Sequence, residues 1–317
     1  MTITAKWKVL MSAPYMMSVL KDFRDEFERN EIELIVPEVH ERLEEEQLFE
    51  LIEDMDGVIC GDDRFTERVL QKAKRLKVIS KWGTGIDSID LAACTRHGVR
   101  VCNTPNAFTD SVADSVMAYI LAFARNAFRM DVAMKAGTWE KIQGHALCEC
   151  TLGVIGVGNI GRAVARRAQA FGMTLLGNDI RTLDTAVSGT LGIRMLPLND
   201  LLRTSDYISV NCDLNPTSRH LLNAATFSLM KPTAVVVNCA RGPIIDELAL
   251  TDALKNKKIA GAGLDVFEEE PLPLDSSLRT FSEVLLAPHN SNSSPAAYQR
   301  IHRNTINNLI KGLKELS

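Results

Sequence analysis

The sequence predicts an α/β protein with two doubly wound domains, each built on a parallel sheet. The chain has 317 residues, which is more than one hydrophobic core usually serves. Short apolar runs alternate with helical patterns along most of the chain, and this alternation is typical of parallel βαβ units. A glycine-rich turn lies at residues 156–161, so about half of the chain precedes it.

The first hundred residues contain enough strand and helix patterns for a small doubly wound domain of their own. The predicted strands are residues 9–11, 32–36, 57–60, 77–80 and 99–101. The predicted helices between them are residues 16–29, 43–53 and 65–73. Because helices alternate with short apolar strands, we expect a parallel sheet covered by helices.

A second βαβ series begins at Thr151, after helices predicted at residues 109–125 and onward to 135. Its strands are predicted at residues 153–155, 174–177, 207–211, 234–238, 261–264 and 284–286. Six strands are the full count for a dinucleotide-binding domain. The helix predicted at residues 295–313 therefore cannot extend this sheet, and we expect it to pack back on the first domain.

Composition argues against several kinds of partner and site. The net charge of −4 and the pI of about 5.9 do not favour a nucleic acid or an anionic membrane. Residues 1–8 lack the apolar core of a signal peptide, and the apolar stretch 116–124 is too short to span a bilayer. Seven cysteines without framework spacing suit the cytoplasm, and Cys148-Glu149-Cys150 is interpreted as a turn, so no metal site is predicted.

The glycine-rich turn has the context of a dinucleotide site. The turn Gly156-Val157-Gly158-Asn159-Ile160-Gly161 follows an apolar strand and opens a helix predicted at residues 162–171. The three glycines permit a tight turn, a close approach of backbone to the pyrophosphate, and helix–strand packing. The free N–H groups of the helix N-terminus attract phosphate.

An acid after the next strand predicts which dinucleotide binds. Asp179 is expected to accept hydrogen bonds from the adenine-ribose hydroxyls and to repel a 2′-phosphate, which favours NAD. Arg181, two residues further on, is a cation that would pair with a 2′-phosphate. NADP therefore remains an alternative at this point.

Three later strand ends carry polar side chains suited to acid–base chemistry. Arg241 follows the strand at 234–238, the run Glu268-Glu269-Glu270 follows the strand at 261–264, and His289 follows the strand at 284–286. Ligands of doubly wound sheets bind at the carboxyl ends of the strands. A cation, an acid and a histidine at this edge indicate proton transfer on an anionic substrate.

These segments together resemble the D-isomer-specific 2-hydroxyacid dehydrogenases, a family of NAD-dependent enzymes. The resemblance runs nearly end to end. Its motifs here are Lys81-Trp82-Gly83-Thr84-Gly85-Ile86-Asp87, Asn103-Thr104-Pro105-Asn106-Ala107-Phe108-Thr109, the glycine-rich turn, Asn238-Cys239-Ala240-Arg241-Gly242, Leu264-Asp265-Val266-Phe267 with Glu270-Pro271, and Pro288-His289. A fingerprint in the middle of the chain is itself a mark of this family.

The resemblance implies a role for each catalytic candidate. Arg241 would hold the carboxylate and carbonyl of a small 2-keto or 2-hydroxy acid through a charge-assisted contact. His289 would protonate the carbonyl oxygen as hydride arrives, and Glu270 would hold the imidazole in the required tautomer. Backbone N–H groups around Thr84 and Gly85 would cradle the substrate carboxylate.

The resemblance also implies the remaining cofactor contacts. Thr109, Asp265 and the backbone of Cys239 stand at positions that touch the nicotinamide in the family. Together with Gly156, Gly158, Asn159, Ile160, Gly161 and Asp179, these residues complete the predicted NAD site.

The predicted architecture is an NAD-binding Rossmann domain inserted in a discontinuous, flavodoxin-like domain. The inserted domain is predicted to cover residues 103–290. The substrate-binding domain, which acts as a catalytic lid, covers residues 1–102 and 291–317. By resemblance the enzyme is a homodimer, with residues 125–139 as the arm between subunits. For Trp139 the favoured expectation is a buried core position, although an arm tryptophan that reaches a neighbouring active site is the alternative.

Two departures from the family leave the substrate open. Gly61-Asp62-Asp63-Arg64 replaces the Arg-Ser pair with which many phosphoglycerate dehydrogenases bind phosphate, and its acids would repel phosphate. The run Asn290-Ser291-Asn292-Ser293-Ser294 is more polar than usual. We expect no serine feedback, because no regulatory domain follows Ser317. A nucleotide-sensing corepressor and a phosphite or formate dehydrogenase on the same scaffold remain alternatives.

Overall fold

The computed structural model describes residues 5–315 and shows two parallel sheets, so the predicted fold class is confirmed. The first four of residues 1–8, for which we predict no signal peptide, lie outside this range. The strands of the first sheet are β1 Trp7–Met11, β2 Ile32–Ile35, β3 Gly57–Cys60, β4 Val78–Lys81 and β5 Arg100–Cys102. Those of the second sheet are β6 Thr151–Ile155, β7 Thr174–Asn178, β8 Ile193–Met195, β9 Tyr207–Val210, β10 Val235–Asn238, β11 Gly261–Leu264 and β12 Val284–Leu286.

Helices connect the strands in both sheets. In chain order they are α1 Pro14–Met17, α2 Arg24–Arg29, α3 Glu45–Leu51, α4 Glu67–Lys72, α5 Leu91–Arg96, α6 Thr109–Ala124, α7 Ala127–Lys135, α8 Asn159–Ala170, α9 Thr185–Leu191, α10 Leu198–Thr204, α11 Ala224–Phe227, α12 Glu247–Lys255 and α13 Pro295–Glu315. Short 3-10 helices cover Leu20–Phe23, Leu147–Glu149, Gly242–Ile244 and Ser277–Thr280.

The chain divides into two compact units, one of them discontinuous. Unit 1 comprises Met1–Ala107 and Ser294–Ser317, and unit 2 comprises Phe108–Ser293. The boundaries predicted from the sequence are 102/103 and 290/291. The observed divisions fall a few residues later, at 107/108 and 293/294.

Unit 1 has the strand order β2-β1-β3-β4-β5, with all neighbours parallel. The C-terminal helix α13 packs on this sheet. Ser80 Oγ donates a hydrogen bond to the carbonyl oxygen of Thr305 at 2.7 Å. Trp82 Nε1 donates to Nδ1 of His302 at 3.0 Å, and burial lowers the pKa of His302, so its neutral imidazole can accept. The helix therefore belongs to the core of unit 1.

Unit 2 has the strand order β12-β11-β10-β9-β6-β7-β8, again all parallel. It is the dinucleotide-binding order, in which the first strand lies at the centre, with one strand added. Sequence reasoning predicts six strands here and misses β8. Only one of the three residues of β8 is buried, so no apolar run marks it.

One predicted helix is broken. Residues 16–29 form α1, a 3-10 helix and α2 rather than a continuous helix. The N–H groups of Val19 and Asp22 donate to carbonyl oxygens three positions back, at 3.1 and 2.9 Å. Only Met16 and Phe27 are buried along this stretch. Without a continuous buried face, packing does not enforce regular α-helical geometry.

Trp139 is exposed, so the favoured expectation of a core tryptophan is wrong. Its relative exposure is 81%, and residues 138–146 lack regular secondary structure. The preceding helix α7 has no buried residue. Since no residue of that helix belongs to the core, the indole has no buried site there and remains at the surface of unit 2.

The described part of the chain contains neither a membrane-spanning helix nor a metal-binding cluster. Between residues 5 and 315, no helix combines the length and apolar character that a bilayer crossing requires. In the same range no three His, Cys, Asp or Glu side chains are grouped so that they would hold a metal ion. Cys148 and Cys150 lie at and just beyond the 3-10 helix Leu147–Glu149, and both are free thiols.

Candidate active site

The glycine-rich turn joins β6 to α8 and leaves no room for side chains at two positions. Gly156 has φ = +85°, and a Cβ there would lie 2.5 Å from the backbone nitrogen of Cys212. A Cβ on Gly161 would lie 2.0 Å from the carbonyl oxygen of Gly156. Gly158, beside Asn159 and Ile160 at the start of α8, would tolerate a Cβ, since the nearest atom to it would be Nη2 of Arg181 at 3.7 Å. This concave backbone surface at a helix N-terminus fits the phosphates of a dinucleotide.

Asp179 lies at the end of β7, next to this turn. Its Oδ2 accepts the N–H of Val157 at 2.8 Å, and its Oδ1 accepts the N–H of Arg181 at 2.9 Å. Burial alone would raise the pKa of Asp179. The two backbone hydrogen bonds and the Arg181 guanidinium outweigh burial and lower this pKa below its usual value. The carboxylate is therefore ionised at neutral pH and fixed beside the glycine turn.

Arg241 follows β10 and is held by the preceding strand end. The side chain of Asn238 accepts the N–H of Ala240 at 3.0 Å and donates to the carbonyl oxygen of Arg241 at 2.9 Å. A Cβ on Gly242 would lie 1.9 Å from the backbone of Phe267. The segment that carries Arg241 therefore lies directly against the loop that follows β11.

Glu270 and His289 form a hydrogen-bonded pair. Nδ1 of His289 lies 2.8 Å from Oε2 of Glu270, and both side chains are about one-fifth exposed. Oε1 of Glu270 accepts the N–H of Phe267 at 2.9 Å. The carboxylate is thus fixed by backbone on one oxygen and orients the imidazole with the other. Such a pairing sets the tautomer of a histidine that works as an acid or base.

Asp265 organises the loop that carries His289. Its carboxylate is buried and accepts the N–H groups of Asn290 at 2.8 Å and Ser291 at 2.9 Å. Its carbonyl oxygen accepts the N–H of His289 at 2.8 Å. His289 itself has φ = +49°, a left-handed conformation that is uncommon outside glycine. Three hydrogen bonds to one residue hold the loop in this conformation.

Cys239 and Thr109 lie in the same unit. Cys239 is buried, and burial raises the pKa of its thiol well above the usual value, so the group is neutral. Thr109 is the first residue of α6 and is partly buried.

Thr84 and Gly85 lie in unit 1, in the loop after β4. The carbonyl oxygen of Thr84 accepts the side-chain amide of Asn103 at 2.6 Å, and its hydroxyl donates to the carbonyl oxygen of Thr104 at 3.2 Å. The N–H of Thr104 donates to Gly83 at 2.9 Å. These bonds fix the loop through its carbonyl and hydroxyl oxygens.

The strand order brings the three catalytic candidates to one edge of the sheet in unit 2. The strands β10, β11 and β12 are neighbours, and Arg241, Glu270 and His289 follow their carboxyl ends in that order. The dinucleotide turn follows the carboxyl end of β6 in the same sheet. The arrangement can hold an anion, move a proton and bind a dinucleotide.

Comparison with known proteins identifies the second unit. Residues 117–291, more than half of the chain, match the family model of the D-isomer specific 2-hydroxyacid dehydrogenase, NAD binding domain. The chain belongs to the D-isomer-specific 2-hydroxyacid dehydrogenase family. The resemblance stated from the sequence motifs is thereby confirmed, and so is NAD as the cofactor of this domain.

Relatives of the chain within this family include enzymes with different substrates. The D-3-phosphoglycerate dehydrogenase of Methanocaldococcus jannaschii is 42% identical over 82% of this chain and 50% of that protein. The chain thus spans about half the length of this relative. The glyoxylate reductase of Thermococcus onnurineus is 36% identical over 96% of this chain and 92% of its own. The structure of Aquifex aeolicus D-lactate dehydrogenase with NAD and lactic acid has a TM-score of 0.85 and 27% identity, and the match covers 95% of this chain and 93% of that one.

Sequence reasoning missed how two residues act at this site. Because Gly242 has no side chain, the segment that carries Arg241 can lie directly against Phe267. Asp265 accepts hydrogen bonds with both carboxylate oxygens and so holds the loop that carries His289. The glycine directly after Arg241 is a sequence signal for a close backbone approach. No signal in the sequence links Asp265 to residues 289–291, since that link forms only in the folded sheet.

Proposed function

We propose that the protein is an NAD-dependent oxidoreductase that interconverts a small D-2-hydroxy acid and its 2-keto acid. The single observation that carries this proposal is the pair His289–Glu270, joined at 2.8 Å, at the sheet edge where Arg241 also lies. A sheet edge with a dinucleotide turn, an oriented histidine and an arginine contains the groups that reduction of a 2-keto acid requires.

Each catalytic residue then has one task. Arg241 binds the carboxylate of the substrate, because a guanidinium matches a carboxylate in geometry and charge. Glu270 engages Nδ1 of His289, so the proton exchanged with the substrate oxygen is the one on Nε2. His289 gives this proton in reduction and takes it back in oxidation. NAD, when bound, supplies or accepts the hydride.

The other site residues support these steps. Gly156, Gly158, Asn159, Ile160 and Gly161 bind the phosphates, and Asp179 binds the adenine ribose. Thr109 and the backbone of Cys239 are assigned to the nicotinamide end. Asp265 has both carboxylate oxygens engaged by backbone N–H groups, which supports a positioning role through His289 rather than a direct one.

The loop with Thr84 and Gly85 is assigned to the substrate carboxylate. Within residues 5–315, the hydrogen bonds of Thr84 use its carbonyl and hydroxyl oxygens, and neither its N–H nor that of Gly85 donates to another residue. Successive N–H groups of this kind form an anion-binding nest. With this assignment, unit 1 is the substrate-binding domain and unit 2 the NAD-binding domain.

We further propose that the enzyme acts as a homodimer in the cytoplasm. Apolar side chains are exposed on α7 and in the segment that follows it. They support the proposal that the arm at residues 125–139 forms a partner surface. Seven free cysteines suit a reducing compartment.

A substrate panel tests the enzymatic proposal. NADH oxidation is measured with glyoxylate, hydroxypyruvate, pyruvate and 3-phosphohydroxypyruvate. Turnover is expected with at least one of these acids, and the preferred acid names the substrate. Tight NADH binding with no turnover on any of them would favour a nucleotide-sensing protein instead.

The variant H289A tests the assigned proton donor. We expect kcat to fall roughly 10²–10⁴-fold, because general acid–base catalysis contributes about that much, while the Kd for NADH stays unchanged. Stopped-flow turnover and fluorescence titration measure the two quantities. The matched control is H145A, which removes a 71% exposed imidazole from the same unit. Wild-type turnover by H289A would remove His289 from the mechanism.

A further inference from the structure

Arg181 is the exposed member of an ion pair at the cofactor turn. Its Nε lies 3.4 Å from Oδ1 of Asp179, and the two side chains are 74% and 8% exposed. Oδ2 of Asp179 is also engaged by Val157. The acid is therefore fixed by backbone, whereas the guanidinium reaches into solvent.

The guanidinium lies over the second glycine of the turn. The nearest atom to a Cβ built on Gly158 is Nη2 of Arg181, at 3.7 Å. Gly158 is the position at which backbone approaches the pyrophosphate of a bound dinucleotide. It is also the residue before α8, whose N-terminus carries partial positive charge. A full positive charge and a helix N-terminus therefore meet at one point.

The contact between Arg181 and Asp179 leaves most of the guanidinium available. Among residues 5–315, Asp179 is the one acceptor of a hydrogen bond from this guanidinium, and the donor is Nε. Arginine has five N–H donors in a planar fork that fits phosphate oxygens. An exposed pair at 3.4 Å is weak, so it does not hold the side chain away from a stronger anion.

We propose that Arg181 is a phosphate-binding residue of the cofactor site. The inference rests on the proposed NAD-dependent function and extends it to a residue outside the glycine pattern. Two phosphates offer the same chemistry here: the pyrophosphate bridge, which NAD and NADP share, and the 2′-phosphate of NADP. In either case Arg181 adds a charge-assisted contact to those of the turn backbone.

Binding of NADH and NADPH to the wild type and to R181Q tests this role without turnover. Charge-assisted hydrogen bonds are strong enough for a loss of about tenfold in affinity. A loss for both nucleotides assigns Arg181 to the pyrophosphate, and a loss for NADPH alone assigns it to the 2′-phosphate. R181K, which keeps the charge, is expected to recover part of the affinity. Unchanged Kd values for both nucleotides would overturn the proposal.

A second background separates direct contact from an effect through Asp179. Without Arg181, the charge of Asp179 is less compensated and would by itself repel a 2′-phosphate. R181Q is therefore repeated in a D179N protein, where a direct contact still produces the loss. If the loss disappears in D179N, Arg181 acts only on Asp179 and the proposal is wrong.

Two controls complete the design. R203Q removes another exposed arginine of unit 2, one that also pairs with an aspartate at 3.4 Å, and is expected to leave both affinities unchanged. If wild-type protein binds neither nucleotide, the proposed NAD-dependent function itself fails. That outcome differs from normal binding that R181Q does not alter.

Discussion

Asp63 has a different role in the structure from the role expected from the sequence. In the sequence it belongs to an acidic pair expected to repel a substrate phosphate. In unit 1 its carboxyl group is fully buried, accepts the N–H of Leu43 at 2.6 Å and is bonded by the hydroxyl of Ser12. Burial raises its pKa to about 6. Asp63 therefore acts inside the fold and does not face a substrate.

The buried carboxyl of Asp63 makes stability depend on pH. Its pKa is higher in the folded state than the ~3.9 of an unfolded chain, so the native state binds more protons between about pH 4 and 6. The contribution of the protonated Asp63 carboxyl to the free energy of unfolding is fully present below about pH 4 and is lost as pH rises through about 6. Relative to D63N, the wild type is expected to lose about 2–3 kcal/mol of unfolding free energy over this range.

Urea unfolding of wild type and D63N at several pH values measures this difference. D22N, which changes an exposed carboxyl of the same unit, serves as the control and is expected to follow the wild-type profile. A constant difference between wild type and D63N from pH 4 to 6 would contradict the prediction.

Residues that act at strand ends could be predicted from the sequence, and residues that act across the fold could not. Arg241, Glu270 and His289 each follow an apolar run, so a parallel sheet alone indicates that they share an edge. The environment of Asp265 depends on Asn290 and Ser291, which are distant from it in sequence. Periodicity carries no information about such contacts.

At the scale of elements, strands with continuous apolar runs were predicted best. The burial of all four residues in β3, β4, β9, β10 and β11 explains this result. The strand β8 and the interrupted stretch at residues 16–29 have few buried residues, so their conformation is set by neighbours. The parallel order of both sheets followed from the βαβ alternation.

The contact of α13 with β4 depends on a glycine. A Cβ on Gly312 would lie 2.6 Å from Cγ2 of Val78. We expect G312A to destabilise the protein by about 1–3 kcal/mol, because overpacking forces backbone or side-chain shifts. The double variant V78A/G312A is expected to recover part of this loss. Denaturant unfolding measures both.

The control for this glycine is Gly189 in α9. A Cβ there meets nothing within 4 Å. G189A is therefore expected to be neutral or slightly stabilising, by up to ~1 kcal/mol from helix propensity. Equal effects of G312A and G189A would show that packing on β4 is not tight.

At the scale of the whole molecule, the exposed apolar side chains of the proposed arm predict the oligomeric state. They are Phe128 at 56%, Val132 at 66%, Met134 at 51% and Trp139 at 81% exposure. Charge at the centre of an apolar interface is costly when it is buried without a partner. We expect the wild type to be a dimer and F128D a monomer by light scattering coupled to size-exclusion chromatography.

The matched control replaces an exposed leucine outside this segment. Leu274 is 92% exposed in a loop of the same unit, and L274D is expected to remain a dimer. A monomeric wild type, or a dimeric F128D, would contradict the assignment of residues 125–139 as the arm.

The place of α13 in unit 1 has a consequence for biosynthesis. Ser80 and Thr305, which hold β4 and α13 together, are 225 positions apart. At roughly 5–20 residues per second, a ribosome delivers the helix about 10–45 seconds after the strand. All of unit 2 emerges in this interval, and the side of the first sheet that α13 will cover stays open meanwhile. While these 225 residues are synthesised, the nascent chain therefore presents an uncovered apolar surface to which chaperones can bind.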